Sequence, residues 1–301
     1  MSRRALVIVA SLAIYFVVVV LFVATLRSLS QSGSDGFAVG PRVALVELDG
    51  VILDTGELIR DLRQHRENPL VKAVVIRINS PGGVVAPTQE LYAALWRLRE
   101  SGKPVVASLG AVAASGGYYV AVAADRIYAN PGTLTGSIGV IMQLANLESL
   151  FKKVGVDWVV VKAGSLKDMG NIARPMTPEE RRVLQALLDD VHGQFIAAVS
   201  RGRNIDQSAM ATIADGRIFS GAQARTNHMV DELGGLEDAI NGAAKLAGLP
   251  TPPKVIAPRR RLSISEWLRS AVGLPGLGAL VSLPGLRPEL PPFKTPLYLM
   301  D

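Results

Sequence analysis

The sequence predicts a layered α/β domain with a mostly parallel sheet, carried behind an N-terminal transmembrane helix. Three observations predict it. Apolar, β-branched runs alternate with amphipathic helical segments from residue 43 onward, the pattern of strand–helix–strand units. The run Val105-Val106-Ala107-Ser108-Leu109 is apolar but for one serine and reads as a buried strand. Ahead of them lies an unbroken, uncharged apolar stretch at residues 5–26, close to the roughly 20 residues a helix needs to cross a bilayer.

Composition agrees. Of 301 residues, 49% are hydrophobic and 19% charged, an apolar excess for a fully soluble protein that a membrane segment explains. There is no cysteine, so disulfides, a thiol nucleophile and a cysteine metal site are excluded. Only His65, His192 and His228 are histidines, too few for a histidine-rich metal site. The net charge of +6 resides in Arg3, Arg4 and Arg27 around the apolar stretch and in Arg259, Arg260 and Arg261. The remaining basic and acidic residues balance. The charge therefore points to membrane flanks, not to a basic face for nucleic acid.

The chain is taken as an anchor at residues 1–27, a linker at 28–41, a domain at 42–249 and a proline-rich tail at 250–301. A cleaved signal peptide would have a shorter apolar core and a small-x-small cleavage site after it. No such site follows residue 26, so the anchor is expected to remain. Arg3 and Arg4 outweigh Arg27, which places the N-terminus in the cytoplasm and the domain outside. Residues 31–41 form a Ser/Gly linker.

Within the domain, strands are predicted at residues 43–48, 73–78, 105–109, 126–129 and 157–162, with 138–142 a further candidate. Helices are predicted at residues 54–66 and 87–100, where leucines recur at helical spacing. Residues 118–124 read as the body of a buried helix. Thr177, Pro178, Glu179 and Glu180 read as a helix start. A long apolar stripe follows to Val199, then shorter helices at 220–224 and 236–246 and an amphipathic segment at 263–272.

The chemistry centres on Ser115, in Ala113-Ala114-Ser115-Gly116-Gly117-Tyr118-Tyr119. A serine at a strand-to-helix turn points its hydroxyl above the sheet, and small neighbours admit a close approach. The stretch is not Gly-x-Ser-x-Gly, so the α/β-hydrolase elbow is not matched. His65 and His192 lie on predicted polar helix faces, and His228 sits next to Asn227. None has a convincing setting as the base. A lysine can serve instead, provided burial or a positive neighbour lets it lose its proton. Lys162 and Lys167 both lie in the loop after residue 161, and spacing does not choose between them. The turn Ser80-Pro81-Gly82-Gly83 at a strand end exposes backbone N–H groups suited to an oxyanion.

Several motifs stand in one order: Asn79-Ser80-Pro81-Gly82-Gly83, the Ser115 stretch, Thr135-Gly136-Ser137-Ile138-Gly139-Val140, Lys167-Asp168, Asp215-Gly216-Arg217-Ile218-Phe219 and Val230-Asp231-Glu232-Leu233-Gly234-Gly235. Together they resemble the SppA-type signal peptide peptidases, membrane-bound Ser-Lys proteases, over about residues 43–246. The resemblance implies Ser115 as nucleophile and Lys167 as general base. It implies Gly82 or Gly83 as an oxyanion donor, with the amide of Ser115 or Gly116 as the other, and Ser137 near the site. The implied fold is a Clp-protease/crotonase-like layered α/β superhelix.

This chain resembles the short members with one such half, which assemble as homo-oligomeric rings whose serine and lysine come from neighbouring subunits. Signal peptides and other membrane-associated peptides are the implied substrates. No metal, ATP or other cofactor and no nucleic acid is implied. Asn227-His228-Met229 precede Val230 where the family usually has Gly-Leu, a departure at one helix-end turn. A catalytically inactive peptide-binding scaffold is disfavoured by the intact Ser115 and Lys167. An acyl-CoA enzyme is disfavoured by that pairing and by the anchor.

Overall fold

The computed structural model describes residues 15, 16, 19, 40–206, 208–258 and 297–299. The chain divides into two compact units, Met1–Pro41 and Arg42–Asp301. In the first, Tyr15, Phe16 and Val19 are helical and exposed. Among the described residues no helix is long and apolar enough to cross a membrane. The rest of the predicted anchor, and the predicted helix at 263–272, lie outside them.

The second unit is a mixed α/β domain around one central sheet. It begins with β1 (Arg42–Asp49), α1 (Gly56–Glu67), β2 (Val71–Ser80) and β3 (Gly82–Val84). Then come α2 (Val85–Glu100), β4 (Val105–Ala114), α3 (Gly116–Ala121), β5 (Arg126–Ala129) and β6 (Leu134–Gly136). After α4 (Glu148–Val154) and the long α5 (Pro178–Arg203) follow β7 (Ile218–Ser220), α6 (Gly221–Thr226), β8 (Glu232–Leu233) and α7 (Leu236–Leu246). The short strands β9 (Val255–Ile256) and β10 (Leu297–Leu299) come last.

The main path of the sheet runs β7-β6-β4-β2-β1-β9, with β5 on β4 and β8 on β5. Every pairing in it is parallel except β6 with β7. Parallel strands are covered on both faces, so their sequences are apolar on both. Val74, Val75 and Ile76 of β2 and Val105, Val106 and Ala107 of β4 are all fully buried. One face packs under α1, α2, α3 and α5, with Leu62, Leu91, Leu95, Leu98 and Phe195 in that core. The other is closed by α7 through Ala239, Ala243 and Ala244 against Val43, Ala73 and Val106.

The strand β4 changes partner along its length. Val106–Leu109 pair with β5, whereas Val112–Ala114 pair with β6. Thr133 Oγ1 donates to Gly110 O at 2.7 Å and Thr135 Oγ1 donates to Ala113 O at 2.7 Å. These bonds hold the end of β4, and with it the start of α3.

Three expectations need correction. Residues 157–162 form no strand. They are irregular and exposed, with Val161 96% and Val159 82% accessible. Their β-branched sequence favours extension, but a strand also needs a partner edge, and among the described residues no ladder reaches them. Residues 138–142 are likewise not a strand; the pairing segment is β6, just upstream. The Ser80–Gly83 segment is more than a turn, because Pro81 separates β2 from β3, and β3 bridges Ile52 in parallel.

Candidate active site

Ser115 sits between β4 and α3 at φ 50° and ψ −117°, a region that side chains other than glycine rarely adopt. Such strain persists only where the surroundings impose it. Here the Ser115 N–H donates to Gly136 O at 2.8 Å, and its carbonyl accepts from Tyr119 N at 2.8 Å. The side chain is fully buried, and its Oγ has no hydrogen-bond partner among the described residues. A buried hydroxyl without a partner is unusual and costs free energy.

The helix behind it is held firmly. Tyr118 is fully buried and donates to Met229 O at 2.9 Å; burial pushes its phenol pKa upward. Tyr119 packs between Tyr92 of α2 and Phe195 of α5, with ring centroids 5.1 and 4.9 Å away. Ser115 thus rides on a helix wedged between two longer ones.

Glycines bring the β2–β3 turn against this site. A Cβ on Gly116 would lie 3.2 Å from both Gly82 Cα and Gly83 N. One on Gly117 would lie 2.7 Å from Ser80 O. The amides in this corner are not equivalent. Gly82 N–H donates to Ser80 Oγ at 3.1 Å. Val84 N–H donates to Ile52 O at 2.7 Å, and Gly82 O accepts from Ile52 N at 2.8 Å. Backbone alternation then turns the Gly83 N–H to the opposite edge of β3. That edge pairs antiparallel with β10, in the register Gly83↔Tyr298, and β10 also lies against α3. Gly116 is the first residue of α3, so its N–H has no acceptor within the helix.

Ser137, 8% exposed, also has φ 50°, and its N–H donates to Arg217 O at 2.8 Å. It follows β6 directly, the strand whose Gly136 holds the Ser115 amide.

The two lysines differ. Lys162 is engaged: its Nζ is ion-paired to Asp168 Oδ1 and donates to Ser165 O at 2.8 Å. Lys167 is exposed, and its ammonium has no partner among the described residues. No hydrogen bond joins Lys167, or any histidine, to Ser115 Oγ. The lysine loop is anchored by Asp168, which also meets Arg174, and Arg174 in turn meets Glu180 at the start of α5. Sequence reasoning missed this Asp168–Arg174–Glu180 chain. Thr177 and Glu180, at capping-box spacing, were its one visible trace.

Comparison with known proteins places this arrangement. Residues 97–250 match the model of peptidase family S49. A Synechocystis sp. protein described as a protease is 46% identical over 71% of this chain and 77% of its own length. An Enterococcus faecium protein described as a signal peptide peptidase SppA is 34% identical over 69% of this chain and 64% of its own. Protease 4 of Salmonella typhi is 35% identical over 70% of this chain, which spans only 35% of that longer protein. The chain belongs to peptidase family S49, the SppA-type serine peptidases.

Proposed function

We propose that the chain is a membrane-anchored Ser-Lys endopeptidase that cleaves released signal peptides and other membrane-associated peptides. It works as a ring in which Ser115 of one copy meets Lys167 of the next. The observation that carries this reading is Ser115 itself: a buried, unpartnered Oγ on a strained backbone beside the Gly83 and Gly116 amides. The exposed Lys167, with the uncovered apolar run at 158–161 before it, supports completion of the site by a neighbour. Lys162 is committed to Asp168, which favours Lys167 as the base.

In the proposed reaction, neutral Lys167 of the neighbour takes the Ser115 hydroxyl proton as Oγ attacks the peptide carbonyl. The oxyanion is received by the N–H groups of Gly83 and Gly116. The C–N bond then breaks, and the lysine passes its proton to the leaving amine. Water, deprotonated by the same lysine, attacks the acyl-enzyme ester. The new carboxylate leaves, and Ser115 regains its proton. A substrate lies extended along the edge of β3 that residues 297–299 occupy here; that pairing supports it.

The membrane part rests on the uncharged stretch at residues 5–26 and its flanking arginines. In this reading the N-terminus is cytoplasmic and the peptidase domain lies outside. A fluorophosphonate probe tests the enzyme reading. It should label the wild-type protein at Ser115 and fail to label Ser115→Ala. Labelling elsewhere, or peptide cleavage by Ser115→Ala, would overturn it. Carbonate extraction and protease accessibility of intact cells test the anchor and its orientation.

A further inference from the structure

Arg174 is gripped by carboxylates on two sides. Its Nη2 is paired with Glu180 Oε1, and its Nη1 donates to Glu180 Oε2 at 2.9 Å. Its Nε donates to Asp168 Oδ2 at 3.2 Å, and its Nη2 lies 3.0 Å from the same oxygen. Glu180 is only 2% exposed and closes the capping box of α5. Its Oε2 accepts from Thr177 N at 2.9 Å, and its own N–H donates to Thr177 Oγ1 at 3.2 Å. A rigid 26-residue helix therefore holds one end of the arginine.

The other end holds the neighbour of Lys167 in sequence. Asp168 gathers Lys162 and Asn171 Nδ2 as well as Arg174. The segment between α4 and α5 has no strand pairing; its backbone bonds are local turns such as Lys167 N–H to Gly164 O at 3.2 Å, with one longer tie from Leu147 N–H to Ile172 O at 2.6 Å. Such a loop cannot fix a side chain by itself.

We infer that Arg174 is a positioning residue, tying the Lys167 loop to the start of α5 so that the lysine is held at the height where a neighbouring Ser115 requires it. This rests on the reading of Lys167 as the base. A planar guanidinium fits between two carboxylates; a lysine ammonium is a point charge and reaches one well. Misplacement of a base by about 1 Å can cost on the order of 100-fold in rate.

The test compares Arg174→Lys, Arg174→Ala and the double variant Arg174→Met/Glu180→Gln with wild type and Lys167→Ala. Removing the arginine alone leaves Glu180 buried without its partner and threatens folding. The double variant removes that charge as well, and keeps the inference testable if Arg174→Ala does not fold. In folded, assembled Arg174→Lys and in the double variant, kcat should fall about 30-fold or more. KM should stay within about twofold, because substrate binds at β3. Free guanidinium ion should restore part of kcat to Arg174→Ala and none to Lys167→Ala. A kcat within about threefold of wild type in folded Arg174→Lys and in the double variant would overturn the inference. If Lys167→Ala itself remains active, the assignment of the base fails instead.

Discussion

Ser115 and Lys167 share no hydrogen bond within one chain: the serine is fully buried with an unpartnered Oγ, and the lysine is exposed. The serine side of the site is rigid and preformed, set by Gly136, Tyr118 and the wedge of Tyr119 between α2 and α5. The lysine side is a loop tied to α5 by ion pairs. The two halves therefore respond differently to mutation.

Ser115→Ala should separate stability from activity. The Oγ makes no hydrogen bond, so removing it leaves no partner unsatisfied. Urea unfolding should show a change within about 0.5 kcal/mol, while peptide hydrolysis falls about 1,000-fold or more. A large loss of stability would mean that the hydroxyl is structural.

Gly83→Ala should damage both. Its Cβ would fall 2.1 Å from the Ile52 carbonyl oxygen, a backbone atom with little freedom to move. Destabilisation of about 3 kcal/mol is expected, with kcat lost as the β3 edge shifts. Unfolding curves and single-turnover rates read the two effects separately.

Acid should weaken the tie between the lysine loop and α5. Arg174, with the Thr177 amide, lowers the Glu180 pKa from its ordinary 4.5 to about 2. Asp168, held first by Lys162 and then by Arg174 and Asn171, lies well below the usual carboxylate range. A carboxylate lowered on folding contributes stability above its unfolded pKa and loses it as pH falls toward the folded one. The melting temperature should therefore drop as pH falls from about 4.5 to about 2. Arg174→Met/Glu180→Gln should show a shallower drop over that window. An equal slope in both proteins would show that the pair does not contribute.

Charge in the run before the lysine should break assembly. Val159 and Val161 touch little in the single chain, so Val159→Asp/Val161→Asp should melt within a few degrees of wild type. Light scattering in detergent should show a smaller particle, with activity lost in proportion. A full-size but inactive particle would place the contact elsewhere.

The strands β1, β2, β4 and β5 were legible because parallel strands under two helical layers are written as apolar runs. The start of α5 was legible because Thr177, Pro178 and Glu180 stand at capping spacing. Residues 157–162 misled because β-branched composition reports a willingness to extend, and no strand among the described residues offers them an edge. The helix α4, seven residues without a buried position, has no apolar stripe to read. Its absence from the prediction follows from that. Ser115 could be picked out from its small neighbours at a strand end. Its positive φ, and the engagement of the Ser115 and Gly82 amides by Gly136 and Ser80, needed coordinates. The Asp168–Arg174–Glu180 chain joins residues in a turn-rich loop, where no periodicity announces a contact.

Mixing two inactive proteins tests most directly whether the site is shared between copies. Ser115→Ala supplies the lysine and Lys167→Ala supplies the serine. Dissociated, combined in equal amounts and reassembled, a ring would hold both intact groups at about a quarter of its junctions by random pairing. Peptidase activity should return to about that fraction of wild type. Reassembled mixed rings that stay as inactive as either variant alone would contradict a site built from Ser115 of one copy and Lys167 of the next.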